Sequence, residues 1–351
     1  MTADWKHYGK DAVDLERAPD YESLPSMEAA DLYQPGDELT AAVNVAVKLG
    51  MPLLVTGKPG CGKTQLAWHV AYKFGKHDPL VFDAKTTSTA QDLFYRYDAL
   101  RHFQAASVRR AEAVAAVAAG ESSVSATPSE EEQRRETMRY IELQALGIAS
   151  LLASDDPAAR AYLPAKYQKV DFRRSVVLID EIDKAPRDLP NDILREIETM
   201  SFTIRETGEK LPPRGISPRY RPIVILTSNS EKSLPDAFLR RCVFFHIPRP
   251  KQEDLRKIVT LRLTGGQKAG FPTELVDDAV RLFDKIRTEA KLHKEPSTAE
   301  LLQWVRALGA SGKTPSEVKE GDPEALRITY FVMGTEEADA DRIKKTVTQV
   351  D

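Results

Sequence analysis

Apolar residues gather along this chain in two distinct rhythms. Short unbroken runs occur at Leu53-Leu54-Val55-Thr56, Leu80-Val81-Phe82-Asp83, Val176-Val177-Leu178-Ile179 and Ile223-Val224-Ile225-Leu226, with a last one over 243–247. Runs of this length, bounded by polar turns, predict buried strands. Between them the apolar positions recur with helical spacing. Leu39, Ala42, Val43, Val45, Ala46 and Leu49 outline an amphipathic helix that Gly50 ends. Further helices are predicted over 63–74, from Ala90 onward, over 131–153 and 189–200, and briefly over 235–241.

From Lys251 on only the helical rhythm remains, at 252–263, 274–291 and 298–308. Strands alternating with helices, followed by helices alone, predict an α/β fold: a parallel-sheet core with helices on both faces, then a small all-α lid. The expected boundaries are an irregular polar leader over 1–30, a core over 31–248, a lid over 249–313 and a polar tail over 314–351. The core carries two additions. One is a helical insert over about 104–170, alanine-rich at 105–119 and then rich in Ser, Glu and Pro. The other is a hairpin over about 202–221, turning at Thr207-Gly208-Glu209.

Composition narrows the setting. The 351 residues are 42% hydrophobic, enough for a sizeable core, and carry a formal charge of −3. Such a balance argues against unspecific grip on a nucleic-acid backbone, although a local basic lining at Lys210, Arg214, Arg219 and Arg221 stays open. Two cysteines far apart, Cys61 and Cys242, form no disulfide framework. No signal-like apolar segment and no long apolar run stand out, so a cytoplasmic protein without a membrane span is expected.

Candidate chemistry lies at the ends of three predicted strands. Gly57-Lys58-Pro59-Gly60-Cys61-Gly62-Lys63-Thr64 follows the first strand and opens a helix, with Gln65 next. Glycines there let backbone N–H groups approach phosphate oxygens, and the helix N-terminus adds its dipole. Lys63 is suited to the β- and γ-phosphates, and the Thr64 hydroxyl to Mg²⁺. Asp180 and Glu181 end the third apolar run, where Asp180 can hold Mg²⁺ and Glu181 can activate water. Asn229 ends another strand and can bond phosphate and water. Arg240-Arg241 follows a short helix, where an arginine can reach a neighbour's phosphate. Cys61 sits at a helix N-terminus, which can lower a thiol pKa, though a small residue that merely fits is the simpler reading. Tyr33 is a candidate for stacking on adenine or for packing on the first helix.

These segments, in this order, resemble the AAA+ ATPases and within them the MoxR-type group. The resemblance spans about 31–310. Gly57–Thr64 looks like Walker A, 176–181 like Walker B, Asn229 like sensor 1 and Arg241 like the arginine finger. It implies ATP and Mg²⁺ as ligands, with Lys63, Glu181, Asn229 and Arg241 as catalytic groups. It also implies a homo-oligomer, usually a hexameric ring. The expected activity is hydrolysis of ATP to ADP and phosphate, used to remodel or activate a protein partner, often one with a von Willebrand factor A domain. The rivals are a nucleic-acid-associated or defence-system motor and a nucleotide-gated scaffold that barely hydrolyses. One departure is visible: Ala299 stands where a sensor 2 arginine is expected, with Arg306 two turns further along.

Overall fold

The computed structural model describes residues 30–75, 77–118, 129–264 and 273–348, so the expected leader lies almost wholly outside the described residues. The chain divides into two compact units. One comprises 37–56 and 73–246. The other comprises 30–36, 57–72 and 247–348 of the described residues.

The first unit is built on a five-stranded parallel sheet. Its strands are β1 (Leu53–Thr56), β2 (Leu80–Asp83), β5 (Val176–Asp180), β8 (Ile223–Ser228) and β9 (Val243–His246), in the order β2-β5-β8-β1-β9. The central strands β1, β5 and β8 are buried on both faces, which is why they read as unbroken apolar runs. Edge strands β2 and β9 are only partly covered and leave Val81 and Phe244 exposed. Helix α1 (Asp37–Leu49) packs along β1 and β9 and buries Leu39, Val43 and Ala46, the i, i+4, i+7 stripe of its sequence. Register aligns the carboxyl ends of the strands: Thr56 lies opposite Ser228 and His246, and Asp83 lies opposite Asp180. The Thr56 hydroxyl and His246 Nδ1 are 2.9 Å apart across that edge.

The region expected as a helical insert differs from the sequence reading. Only a single 3-10 turn, Gln91–Leu93, occupies the helix predicted from Ala90, and strand β3 (Tyr95–Tyr97) follows. Helix α3 (Ala99–Ala118) comes next, after α2 (Lys63–Gly75) earlier in the chain. The helix predicted over 131–153 is broken into α4 (Glu130–Met138), β4 (Ile141–Leu143) and α5 (Ala145–Leu152). The break has a cause in pairing. Tyr95, Arg96 and Tyr97 pair antiparallel with Leu143, Glu142 and Ile141, a tertiary ladder that overrides the helical pattern. Helix α5 is buried along its whole length, against β2 and β5. Gly147 makes that approach possible, because a Cβ there would lie 2.1 Å from the Phe94 carbonyl oxygen. This part of the insert therefore belongs to the main core. The expected hairpin is present as β6 (Phe202–Thr203) paired with β7 (Lys210–Leu211).

Lid residues and the expected tail form one helical core within the second unit. Helices α6 (Gln252–Thr264), α7 (Thr273–Glu289) and α8 (Thr298–Ala310) are followed by α9 (Pro315–Glu320), α10 (Pro323–Met333) and α11 (Glu337–Thr348). The polar tail is thus corrected to three packed helices. Val318, Ala325, Leu326, Met333, Ile343 and Val347 join Trp304 and Phe283 in a single buried cluster. The segment's acidic residues misled because several serve as caps. Asp322 accepts the N–H groups of Glu324 and Ala325 above Pro323, and Thr314 forms a capping box with Glu317. Among the described residues no helix is long and apolar enough to cross a membrane.

Candidate functional site

The phosphate-type loop leaves β1 at Thr56 and runs into α2. Its three glycines all take positive φ: 151° at Gly57, 72° at Gly60 and 96° at Gly62. At Gly60 the constraint is double, since a Cβ would also meet Ser297 Oγ at 2.4 Å. Lys63 is buried, and its ammonium donates to the carbonyls of Gly57 at 2.8 Å and Lys58 at 3.1 Å. Lys58 reaches Glu295 at 2.5 Å, and Glu295 also pairs with Arg249. Hydrogen bonds from Lys58 and then Arg249 hold the Glu295 carboxyl below its ordinary pKa. The Gln65 amide nitrogen is buried with no acceptor among the described residues. Positive-φ glycines running into the start of a helix suit an anionic, acceptor-rich ligand.

Ser297 caps α8 through a capping box with Glu300, and that cap is what rests on Gly60. Ala299 follows, its methyl group 3.4 Å from the same hypothetical Cβ. The position expected for a sensor 2 arginine therefore does lie beside the loop, and it carries a methyl group. Arg306, the substitute considered from sequence, sits close enough to Arg262 to lower its pKa, after burial as the main cause. Tyr33 is placed against the loop itself: a Cβ at Gly62 would lie 2.9 Å from its ring, and its centroid is 5.5 Å from that of His69. Burial pushes its hydroxyl pKa up. Burial also raises the Cys61 thiol pKa, with Lys63 pulling the other way, so the helix terminus does not make a reactive thiolate here.

The carboxylate part lies wholly in the first unit and turns on Thr227. Its hydroxyl, fully buried, donates to Asp180 Oδ1 and accepts the Glu181 N–H at 2.9 Å. Glu181 takes a left-handed conformation, φ 54°, which a glutamate adopts only when its surroundings hold it. Asn229 Nδ2 donates to Glu181 Oε1 at 3.2 Å, and Lys184 Nζ donates to Glu181 Oε2. That bond to Glu181 raises the Lys184 pKa. Asp183 braces the turn: its Oδ2 accepts the N–H groups of Asn229 at 3.1 Å and Glu231 at 3.0 Å. Asp180, Glu181 and Asn229, singled out separately in the sequence, are thus one bonded group. Arg240 and Arg241 are both exposed, and Arg241 donates to the Ala237 carbonyl of its own short helix at 3.0 Å.

Thr227, Asp183, Lys184 and Ser297 had no assigned role in the sequence reading. The first three were legible only as neighbours of Glu181 and Asn229, because their partners lie 46 to 48 residues away or across a turn. The basic lining considered for a strand of nucleic acid is corrected at Arg221. It is half-buried and spends its fork on the carbonyls of Gly50, Glu198 and Ile197 at 2.8, 3.0 and 3.2 Å. Arg214 faces Asp156 at 3.6 Å.

A parallel sheet of this strand order, a glycine loop after β1 and paired acids at the end of β5 define a P-loop-type core. Residues 52–242 match the AAA domain family, dynein-related subfamily, and the chain belongs to that family. No curated protein matches the chain. Among solved structures it is similar to the FIGL-1 AAA domain in complex with ADP, at 17% identity, covering 92% of this chain and 85% of that one, with a TM-score of 0.39. It is also similar to a lysine-to-arginine mutant of RuvB from Thermotoga maritima, at 13% identity, covering 83% and 72%, with a TM-score of 0.41.

Proposed function

We propose that this chain is a Mg²⁺-dependent ATPase of MoxR type that remodels, matures or activates a protein partner. The observation that supports it most is the bonded group at the strand ends. Asp180 and Glu181 both bond Thr227, Asn229 bonds Glu181, and Thr56 lies in register with Ser228 just where the glycine loop departs. Gly57, Lys58, Gly60, Cys61, Gly62, Lys63, Thr64 and Gln65 bind the triphosphate through backbone N–H groups and the Lys63 ammonium, and Pro59, which has no N–H, shapes the loop between them. Thr64 and Asp180 would hold Mg²⁺. Bound there, Mg²⁺ would neutralise charge on the phosphates. Glu181 takes the proton of the attacking water and Asn229 orients it. Arg241 serves the nucleotide of the next subunit in a ring, the hexamer expected of the resemblance.

A rival with its own support is a nucleotide-gated scaffold of low turnover. Both Glu181 oxygens are engaged, one by Lys184, and Ala299 cannot touch a phosphate. The remodelling reading is tested with Glu181→Gln as a trap. With Mg-ATP present it should retain a protein partner, for instance one bearing a von Willebrand factor A domain, that wild type releases. DNA-stimulated turnover with steep salt dependence, and no protein retained, contradicts it.

A further inference from the structure

The glycine loop meets a single carboxylate of the lid, and two cations converge on it. Lys58 Nζ donates to Glu295 Oε2 at 2.5 Å, and an Arg249 N–H donates to that same oxygen. All three residues belong to the second unit, and their side chains are exposed: 66% for Lys58, 42% for Arg249 and 38% for Glu295. Glu295 lies two residues before Ser297, whose hydroxyl rests on Gly60, so the three charges stand at the margin of the loop. Together they carry one surplus positive charge, and among the described residues neither cation pairs with a second carboxylate. Two cations on one oxygen repel each other, and ion pairs this exposed are weak. Glu295 keeps Arg249 as a partner if Lys58 turns elsewhere.

Lys63 shows which part of a ligand lies nearest. It rises from the start of α2 and sets its ammonium on the carbonyls of Gly57 and Lys58, at 2.8 and 3.1 Å. In a loop of this kind that ammonium serves the β- and γ-phosphates. Gly57-Lys58 is therefore the outer-phosphate edge, whereas Tyr33 covers the other end at Gly62. From that edge Lys58 carries its own charge on a flexible four-carbon stem, with three donors at its tip. The lid also sets Ala299 beside the loop, a methyl group with no donor to offer. A triphosphate brings more negative charge to this edge than a diphosphate, and an ammonium on a phosphate oxygen makes a charge-assisted bond. We propose that the Lys58 side chain donates to the terminal phosphate of a bound nucleoside triphosphate, in competition with Glu295, and so distinguishes triphosphate from diphosphate. This role rests on the nucleotide reading of the loop. Glu295 is its positioning residue, holding Lys58 at the edge and competing for it.

Calorimetric titration of the full chain with Mg²⁺ and either ADP or adenylyl imidodiphosphate, a non-hydrolysable ATP analogue, tests this. The quantity read is the ratio of the two affinities. Lys58→Met should lower the preference for the triphosphate analogue by about tenfold, with ADP affinity changed by less than about twofold. Glu295→Gln should act in the opposite sense and raise the preference severalfold, because Lys58 loses its competitor. A pair that merely ties lid to loop would instead weaken both nucleotides alike in both variants. The double variant separates direct contact from a long-range field. Without Lys58, Glu295→Gln should no longer raise the preference, so the double variant should match Lys58→Met. An unchanged ratio in Lys58→Met, a parallel fall for both nucleotides, or additive effects in the double variant overturns the role of Lys58 and leaves nucleotide binding standing. A wild-type chain that binds neither nucleotide overturns the loop reading, and this role with it.

Discussion

Thr227 carries more of the carboxylate geometry than the residues that advertise themselves. Removing its hydroxyl with Thr227→Val frees Asp180 Oδ1 and the Glu181 N–H together, while the methyl groups keep the volume. Turnover should fall by about 10²-fold or more, as for loss of a preorganised donor, with nucleotide affinity changed far less. Steady-state kinetics beside a binding titration will separate the two. Gly60→Ala should act oppositely, because its Cβ collides with Ser297 and its φ of 72° disfavours alanine. Nucleotide affinity should drop and the chain should lose about 1–2 kcal/mol in denaturant unfolding. At this scale the sequence was informative for residues whose role follows from a local pattern, such as Lys63 after glycines or Asp180 ending an apolar run. It was silent for Thr227 and Asp183, whose roles arise from partners far along the chain.

Elements were legible where one rhythm decided them. Strands β1, β2, β5, β8 and β9 and helices α1, α6, α7 and α8 all fall where the apolar pattern puts them. Strands β3 and β4 were missed because three residues are too few for a period, and only their mutual pairing makes them strands. The tail was misread because its acids look like solvated charge, whereas Asp339 is fully buried. It accepts the His293 N–H at 3.0 Å and the Thr335 N–H and hydroxyl at 3.1 and 3.0 Å, and pairs with Arg342 at 3.2 Å. Desolvation works to raise its pKa, but these bonds prevail and lower it. A lowered folded pKa means stability present above the unfolded value near pH 3.9 and lost as the pH falls through the folded value. Asp339→Asn should therefore cost roughly 2–3 kcal/mol at neutral pH. Its deficit in thermal unfolding should shrink as the pH is taken below 4. Arg221 ties the end of α1 at Gly50 to the helix ending at Thr199. Arg221→Lys should not restore the stability lost in Arg221→Ala, since an ammonium cannot serve three carbonyls in fork geometry.

For the whole molecule, the proposed trans role of Arg241 makes a prediction that no single subunit can satisfy. Arg241→Ala subunits keep their own Glu181, and Glu181→Gln subunits keep their own Arg241. Each variant alone should be inactive, and mixing them should recover part of the turnover at sites pairing one of each; no recovery on mixing speaks against shared sites. Beneath that lies the claim that the glycine loop and the Asp180-Glu181-Asn229 group serve one hydrolysis. It is tested most directly by measuring ATP binding and phosphate release on the same preparation of Glu181→Gln beside wild type, with Mg²⁺ present. The account predicts undiminished ATP binding and phosphate release reduced to background in the variant, against steady release by wild type. Equal release from both proteins would contradict it.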